Sequence, residues 1–322
     1  MSTKALHTTA VVLALAISGS ASAADVVKVT PLGGQSGEFC TLDRALVFED
    51  PNGTRLLYDA GRTVAGADDP RLGEIDAVLV SHVHGDHIGD RHTKAVNAGS
   101  CAKPDTSVDA TPESSSVQIA VAKQAKIVTG SEMASFFGQK LEAAGGNADD
   151  SVLVRFGAMT HIGGVGITTV TAAHSNGLDP AFLDGSLGKS MAADGVKASV
   201  GPPTGYVLTF SNGLVVYLSG DTGIIADQKT VVGDYYKPKL AVMNIGDTYT
   251  TGPTEAAYVI NDLVKPDSVI PSHANEAATQ DGKVQPGTRT QAFIDATDVP
   301  VHVPLSGKTM SFDSDGQCTA GC

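Results

Sequence analysis

The amino-acid sequence predicts a mixed α/β fold in one domain, with β-sheets packed together and helices outside. Short β-rich runs alternate with a few amphipathic helical segments, and no Pro- or Ser-rich linker divides the series. The 322 residues are 42% hydrophobic, enough to bury a large core.

Each element follows from a local pattern. Residues 26–32 alternate as a strand does. Residues 45–49 and 55–59 are two β-rich runs joined by Asp50-Pro51-Asn52-Gly53, a hairpin signal. Residues 77–80 are continuously apolar, as in a strand buried on both faces, and end at Ser81-His82. The polar stretch 90–116 has no periodicity and reads as an inserted loop, a candidate lid. A strand at 125–128 precedes a helix with Ser131 as N-cap. Met133, Phe136, Phe137 and Leu141 share one face of that helix, and Gly145-Gly146 stops it. Strands follow at 152–156, 165–172, 206–210 and 215–219, the last two joined by Asn212-Gly213. Between them, 177–203 reads as a second long loop. A strand at 240–245 leads to a helix opening at Pro253, with Ala256, Ile260, Leu263 and Val264 as its apolar stripe. A strand at 268–270 before Ser272-His273 and a short helix at 288–296 complete the series.

Charge narrows the function classes. With 22 basic against 35 acidic residues the net charge is -13, and no basic tract is present. A nucleic-acid partner and a polybasic membrane contact are both disfavoured; the expected partner is a small-molecule substrate. The sequence sets no oligomeric state. Lys4, the apolar residues 10–17 and Ala21-Ser22-Ala23 have the pattern of a cleavable export signal, too short to span a bilayer. The expectation is cleavage after Ala23, a periplasmic or secreted location, and a mature domain of residues 24–322. In such a compartment the four cysteines are expected as disulfides, Cys40–Cys101 and Cys318–Cys322 among the three possible pairings.

The informative segment is His82-Val83-His84-Gly85-Asp86-His87. It gathers three of the nine histidines and one aspartate within six residues, directly after a buried strand. Imidazoles and carboxylates are the donors that Zn²⁺ or a similar ion accepts. On extended backbone His82 and His84 project to one side, and beyond Gly85 the side chains of Asp86 and His87 can face a second ion. Further donors stand at comparable strand ends: His174, Asp221 and His273. Alone, each reads as an ordinary polar residue or turn former. Beside the H-x-H-x-D-H motif they become candidate ligands. His7, His92, His161 and His302 have no such context.

These residues resemble the metallo-β-lactamase superfamily, and within it the branch typified by L-ascorbate-6-phosphate lactonase. The resemblance rests on the motif at 82–87, then His174, Ser219-Gly220-Asp221-Thr222-Gly223, Asn244-Ile245-Gly246-Asp247, Thr251-Gly252-Pro253 and Ser272-His273, in the family's order. The export signal, the segment around Cys101 and Asp247 depart from that branch, and the substrate is not carried over. The resemblance implies an αββα sandwich with two metal sites at one edge. It assigns His82, His84 and His174 to one site and Asp86, His87 and His273 to the other. Asp221 bridges them, and Asp59 is a carboxylate that supports the metal loop. Zn²⁺ is the expected metal, with Mn²⁺ or Fe²⁺ also admitted by the carboxylates. The implied reaction is opening of a lactone or other ester or amide by a hydroxide shared between two ions, with Asp86 and Asp221 as the catalytic carboxylates.

Other readings of the same residues are a phosphodiesterase, a β-lactamase and a non-catalytic metal-binding protein. The dedicated β-lactamases replace the bridging aspartate that stands here as Asp221, and a redox diiron protein would carry a carboxylate at His84. A complete ligand set exceeds what binding alone requires. Thiol titration of the mature protein under denaturing, non-reducing conditions should detect no free thiol. Four reactive groups would refute the paired-cysteine reading.

Overall fold

The computed structural model describes residues 25–322, and the expected export signal lies outside the described residues. The apolar runs pair as strands of two sheets. The first sheet opens with β1 (Val27–Pro31), β2 (Leu46–Glu49), β3 (Arg55–Tyr58), β4 (Ala77–Leu79), β5 (Lys126–Thr129) and β6 (Ser151–Leu153). The second holds β7 (Met159–Ile162), β8 (Val165–Thr171), β9 (Thr204–Thr209), β10 (Val215–Leu218), β11 (Leu240–Asn244) and β12 (Ser268–Ser272). The chain then returns to the first with β13 (Met310–Phe312) and β14 (Cys318–Ala320). Spatial order is β14-β13-β1-β2-β3-β4-β5-β6 in one sheet and β12-β11-β10-β9-β8-β7 in the other.

Each sheet changes character partway across. β1, β2 and β3 pair antiparallel, β2 and β3 through a tight turn and β1 and β2 through the longer segment 32–45, whereas β3 to β6 are parallel. In the second sheet β7 to β10 are antiparallel, and β10, β11 and β12 are parallel. Parallel pairs need crossovers. These are α1 (Gly85–Ile88) and α2 (Ser115–Lys123) after β4, and α3 (Met133–Ala143) after β5. The antiparallel β8 and β9 are separated by α4 (Gly185–Ala193). A π-helical segment, Gln228–Tyr236, follows β10, and α5 (Pro253–Tyr258) runs on as the π-helical turn Val259–Val264 after β11. Last comes α6 (Arg289–Ala296).

Strand alternation sorts the side chains into three cores. Val27, Val29, Phe48, Leu56 and Tyr58 meet Ile167, Tyr206, Leu208, Val216 and Leu218 between the sheets. Val47, Leu57 and Val78 point the other way, onto Val117, Phe137 and Leu141. On the second sheet Val207, Tyr217 and Met243 face Ala256, Ile260 and Phe293. The result is an αββα sandwich. Both expected disulfides are formed, Cys40 with Cys101 and Cys318 with Cys322. Among the described residues no helix is long and apolar enough to cross a membrane.

Two tyrosines register the sheets against each other. The Tyr206 hydroxyl, reaching from β9, lies 2.6 Å from Val80 O and 2.9 Å from Val128 O at the ends of β4 and β5. In return the Tyr58 hydroxyl, from β3, accepts a hydrogen bond of 3.0 Å from Gly220 N beyond β10. The rings meet edge to face at 6.3 Å.

Several expectations need correction. Ser131 is not the N-cap of α3: it has φ 55°, and Glu132 occupies the cap without a side-chain bond. The 90–116 stretch is not wholly loop, because Arg91–His92 pairs with Val108–Asp109 and α2 begins at Ser115. Nor is 177–203, which contains α4 and a ribbon of Gly177–Leu178 with Ala198–Ser199. Helix α4 buries only Gly188, so it has no apolar stripe to read. Strands β7, β13 and β14 are too short or too polar to have been anticipated.

Tyr206→Phe leaves the apolar packing intact but removes the one hydroxyl proton that Val80 O accepts at 2.6 Å, while Val128 O keeps its bond from Val80 N. Its stability should fall by about 1–3 kcal/mol, with an unchanged denaturant slope, in equilibrium unfolding.

Candidate metal centre

Because β3, β4, β8, β10 and β12 all point the same way, their C-terminal ends meet along one edge of the sandwich. Asp59 follows β3, His82 to His87 follow β4, His174 follows β8, Asp221 follows β10 and His273 follows β12. Asp59 (φ 41°) and His273 (φ 52°) adopt left-handed backbone that non-glycine residues take only when the surroundings hold them.

The structure brings all seven expected donors together. His82 Nε2 is 2.9 Å from His84 Nδ1, which is 3.3 Å from His174 Nε2. Asp86 Oδ2 is 3.7 Å from His87 Nε2 and 3.4 Å from His273 Nε2. Asp221 Oδ2 stands between the two groups. It is 3.1 Å from His273 Nε2, 3.3 Å from His87 Nε2, 3.8 Å from His174 Nε2 and 3.9 Å from His82 Nε2.

The supports explain this convergence. Asp59 Oδ2 accepts hydrogen bonds from His87 Nδ1 (2.8 Å) and Ser81 Oγ (2.7 Å), and Asp59 Oδ1 accepts Ser81 N. Ser81 Oγ is 3.0 Å from His82 Nδ1. With its own proton given to Asp59, that hydroxyl accepts from His82, so the Nε2 lone pairs of His82 and His87 face inward. Asn244 clamps the turn carrying Asp221: its Oδ1 accepts from Ser219 Oγ and Thr222 N, and its Nδ2 donates to Thr222 O and Thr251 Oγ1. Asn176 Oδ1 accepts Val83 N, tying the motif loop to the loop after His174. The buried Arg44 donates to Asp86 Oδ2 (3.1 Å) and to Asn275 Oδ1 (2.6 Å).

The electrostatics suit a cation. Burial, followed by the neighbouring His87, pushes His82 well below the usual imidazole range. Burial, then His174 and His87, takes His84 down to about 4. Burial likewise lowers His174. All three are therefore neutral, the form that binds metal. For Asp86 and Asp221 burial acts upward, but His87 and His273 outweigh it for both, with Arg44 adding for Asp86, and both stay ionised. Burial alone would lower His87, yet Asp221, Asp86 and Asp59 outweigh it and hold it well above its ordinary value. That surplus of carboxylate around one imidazole is the charge a divalent ion offsets. His87 Nε2 is buried and has no hydrogen-bond partner. A tetrahedral ion about 2.0–2.1 Å from its nitrogen donors spaces them about 3.3 Å apart, close to the separations found here. The donors present fit metal binding.

A third histidine group, His302 with Cys318 and Cys322, lacks that property because its sulfurs are bonded to each other. His92 bonds Thr93 O and His161 lies on β7, both outside the centre. Sequence reasoning missed Arg44, Ser81, Asn176 and Asn275. Only Arg44 had a local signal, a charge set at the start of an apolar strand. The donors open onto a cavity of about 520 Å³ that includes Arg44, His84, His174, Tyr249 and Arg289. A second, of about 720 Å³, shares His84, Asp86, Arg62 and Tyr249 with it and extends to the 90–116 and 177–203 segments.

Residues 54–274 match the family model for the β-lactamase superfamily domain. A UPF0173 metal-dependent hydrolase of Polynucleobacter asymbioticus is 26% identical over 280 residues, covering 82% of each chain. One of Koribacter versatilis is 27% identical over 265 residues, covering 81% of this chain and 91% of its own. Among solved structures, the metallo hydrolase Igni18 of Ignicoccus hospitalis superposes with a TM-score of 0.57 at 22% identity, over 89% of this chain and 99% of its own. The metal-suited edge, the αββα layers and a match across two thirds of the sequence converge: the chain belongs to the β-lactamase superfamily, as a metal-dependent hydrolase.

Proposed function

We propose that this hydrolase works with two divalent ions, Zn²⁺ first among them, and opens a lactone or other ester or amide bond in a small molecule. The observation that carries the reading is the position of Asp221 Oδ2, within 3.1–3.9 Å of four imidazole nitrogens drawn from both donor groups. His82, His84 and His174 would hold one ion, Asp86, His87 and His273 the other, and Asp221 both. Ions so held would supply Lewis acidity and lower the pKa of a water toward 7.

The chain's own groups do the rest. Asp59 and Ser81 fix the inward tautomers of His87 and His82. Arg44 anchors Asp86, which lines the cleft and stays ionised, so it can accept a proton from the attacking water and pass it to the leaving group. The substrate would lie in the joined cavities, chosen by the segments that line them. Phosphodiester cleavage uses the same arrangement and is the alternative to be tested beside it. The reading places the protein outside the cytoplasm, on the strength of the N-terminal signal pattern and the paired cysteines.

Asp221→Asn tests the bridge. An amide keeps the shape without the charge that offsets two cations. Elemental analysis should show one ion weakened, in the Asp86/His87/His273 group. Turnover on a panel of lactones and phosphodiesters should drop by at least about a hundredfold, beyond what loss of an outer partner costs. His161→Ala, on β7, serves as control. Full occupancy by two ions and normal rates in Asp221→Asn would sink the bridging role.

His84→Ala should lose activity and lower metal content while unfolding cooperatively at a temperature close to the parent's. Three apolar cores, not the metal, hold the sandwich. Loss of the thermal transition on chelation of the parent protein would contradict this.

A further inference from the structure

Away from the metal centre, a second group of donor side chains meets beside the start of β12. An imidazole nitrogen of His302 and the sulfurs of Cys318 and Cys322 lie within 4.8 Å of one another. Val301, next to His302, bridges to Val269 near the start of β12, whereas His273 follows the strand's other end. The His302 amide donates to Val269 O at 2.8 Å, and its ring packs against Phe312 at 5.4 Å. Phe312 on β13 is in turn the cross-strand partner of Cys318 on β14. Backbone pairing therefore sets His302 beside Cys318 without help from a metal. His302 Nε2 is buried and has no hydrogen-bond partner among the described residues, which packing alone does not account for.

The two disulfides differ in what they constrain. Cys40–Cys101 spans 61 residues, and Cys40 is fully buried. Cys318–Cys322 spans four, so it removes far less freedom from the unfolded chain. Cys318 is half-buried and Cys322 exposed, within reach of a reductant. The turn between them does not depend on the bond. Gly321 has φ 81°, and a Cβ there would meet Thr309 O, so only glycine fits. Ala320 stays paired with Ser311 across β13 and β14. Two thiols released here would remain beside His302, and a C-x3-C pair with a histidine has the spacing of a zinc ligand set.

We propose that His302, Cys318 and Cys322 form a second, redox-gated metal site: closed while the disulfide stands, and open to one thiophilic divalent ion such as Zn²⁺ once a dithiol reductant has cut it. Reduction passes two electrons and two protons from the dithiol to the bridge, giving two protein thiols and the reductant's own disulfide. Coordination then releases both thiol protons, and the ion takes two thiolates and a neutral imidazole. Around a tetrahedral ion the sulfurs need part only to about 3.8 Å. The fourth position is left to water or an external ligand. This site shares no residue with the donor cluster at the other end of β12, and it does not rest on the hydrolase reading.

The test uses the full protein, loaded with zinc, reduced with a phosphine, desalted without oxygen and titrated with Co²⁺. Cobalt bound to thiolate absorbs by sulfur-to-metal charge transfer, a band that the His/Asp centre, holding no sulfur, cannot give. The reduced wild type should take up one added ion per chain and show the band, and the unreduced protein should show neither. His302→Phe keeps a ring against Phe312 without its nitrogens. It should weaken the added ion at least about tenfold, the least that loss of an outer partner costs a metal site. His302→Gln should do the same, so the result does not depend on how the phenyl ring packs. Cys318→Ser combined with Cys322→Ser should abolish the band while leaving Cys40–Cys101 open to the same reduction. Three results each overturn the proposal: no added ion in the reduced wild type, undiminished affinity in both His302 variants, or a band that survives in the double serine variant.

Discussion

One carboxylate oxygen, Asp221 Oδ2, must stand within about 4 Å of imidazoles that arrive on three different loops, and this demand organises the molecule. Asp221 and His273 belong to the second sheet's parallel strands, His174 to the end of β8, and His82 and His87 to the first sheet. An ångström of slip between the sheets would open the cluster. The reciprocal hydrogen bonds of Tyr58 and Tyr206 act at that junction, one on the Asp221 turn and one on the carbonyls beside the motif loop. They convert a non-directional apolar interface into a fixed register.

Gathering ionisable groups in a dry edge is costly, and the structure meets the cost locally. Asp59, almost fully buried, spends its lone pairs on Ser81 and His87. Arg44, equally buried, gives Asp86 a cation and ties it to Asn275. Asn275 and His273 both sit in left-handed backbone, at φ 55° and 52°, as does Asp59. Such strain persists only where neighbours over-determine it. The surrounding cores are apolar and continuous, so the centre is a graft on a sandwich that folds for other reasons.

Division of labour between frame and insertions follows from the same layout. Strand ends hold the donors, while the segments around Arg91–His92, Val108–Asp109 and Gly177–Leu178 form the outer walls of the cleft. Tyr249, exposed at the mouth, follows two consecutive left-handed residues, Asp247 and Thr248, and borders both cavities. The donors thereby sit on the rigid part and the outer cleft walls on the irregular part, as loops carried on a rigid scaffold commonly do.

Local pattern determined much of this protein. Asp50-Pro51-Asn52-Gly53 and Asn212-Gly213 announced their hairpins because turn chemistry is a property of a few adjacent residues. His82 to His87 announced a metal loop for the same reason. His174, Asp221 and His273 were legible through the resemblance and their strand-end positions. Helix α4 was not legible, because it buries almost nothing and leaves no periodic trace. The roles of Arg44 and Asn244 were decided by tertiary structure alone. What a polar side chain does depends on the charge or lone pair it meets across the fold. Arg44 meets Asp86 over a separation of 42 residues and Asn275 over 231. Sequence records which groups are available, while the partner of each is chosen by the packing of sheets that sequence neighbours never see.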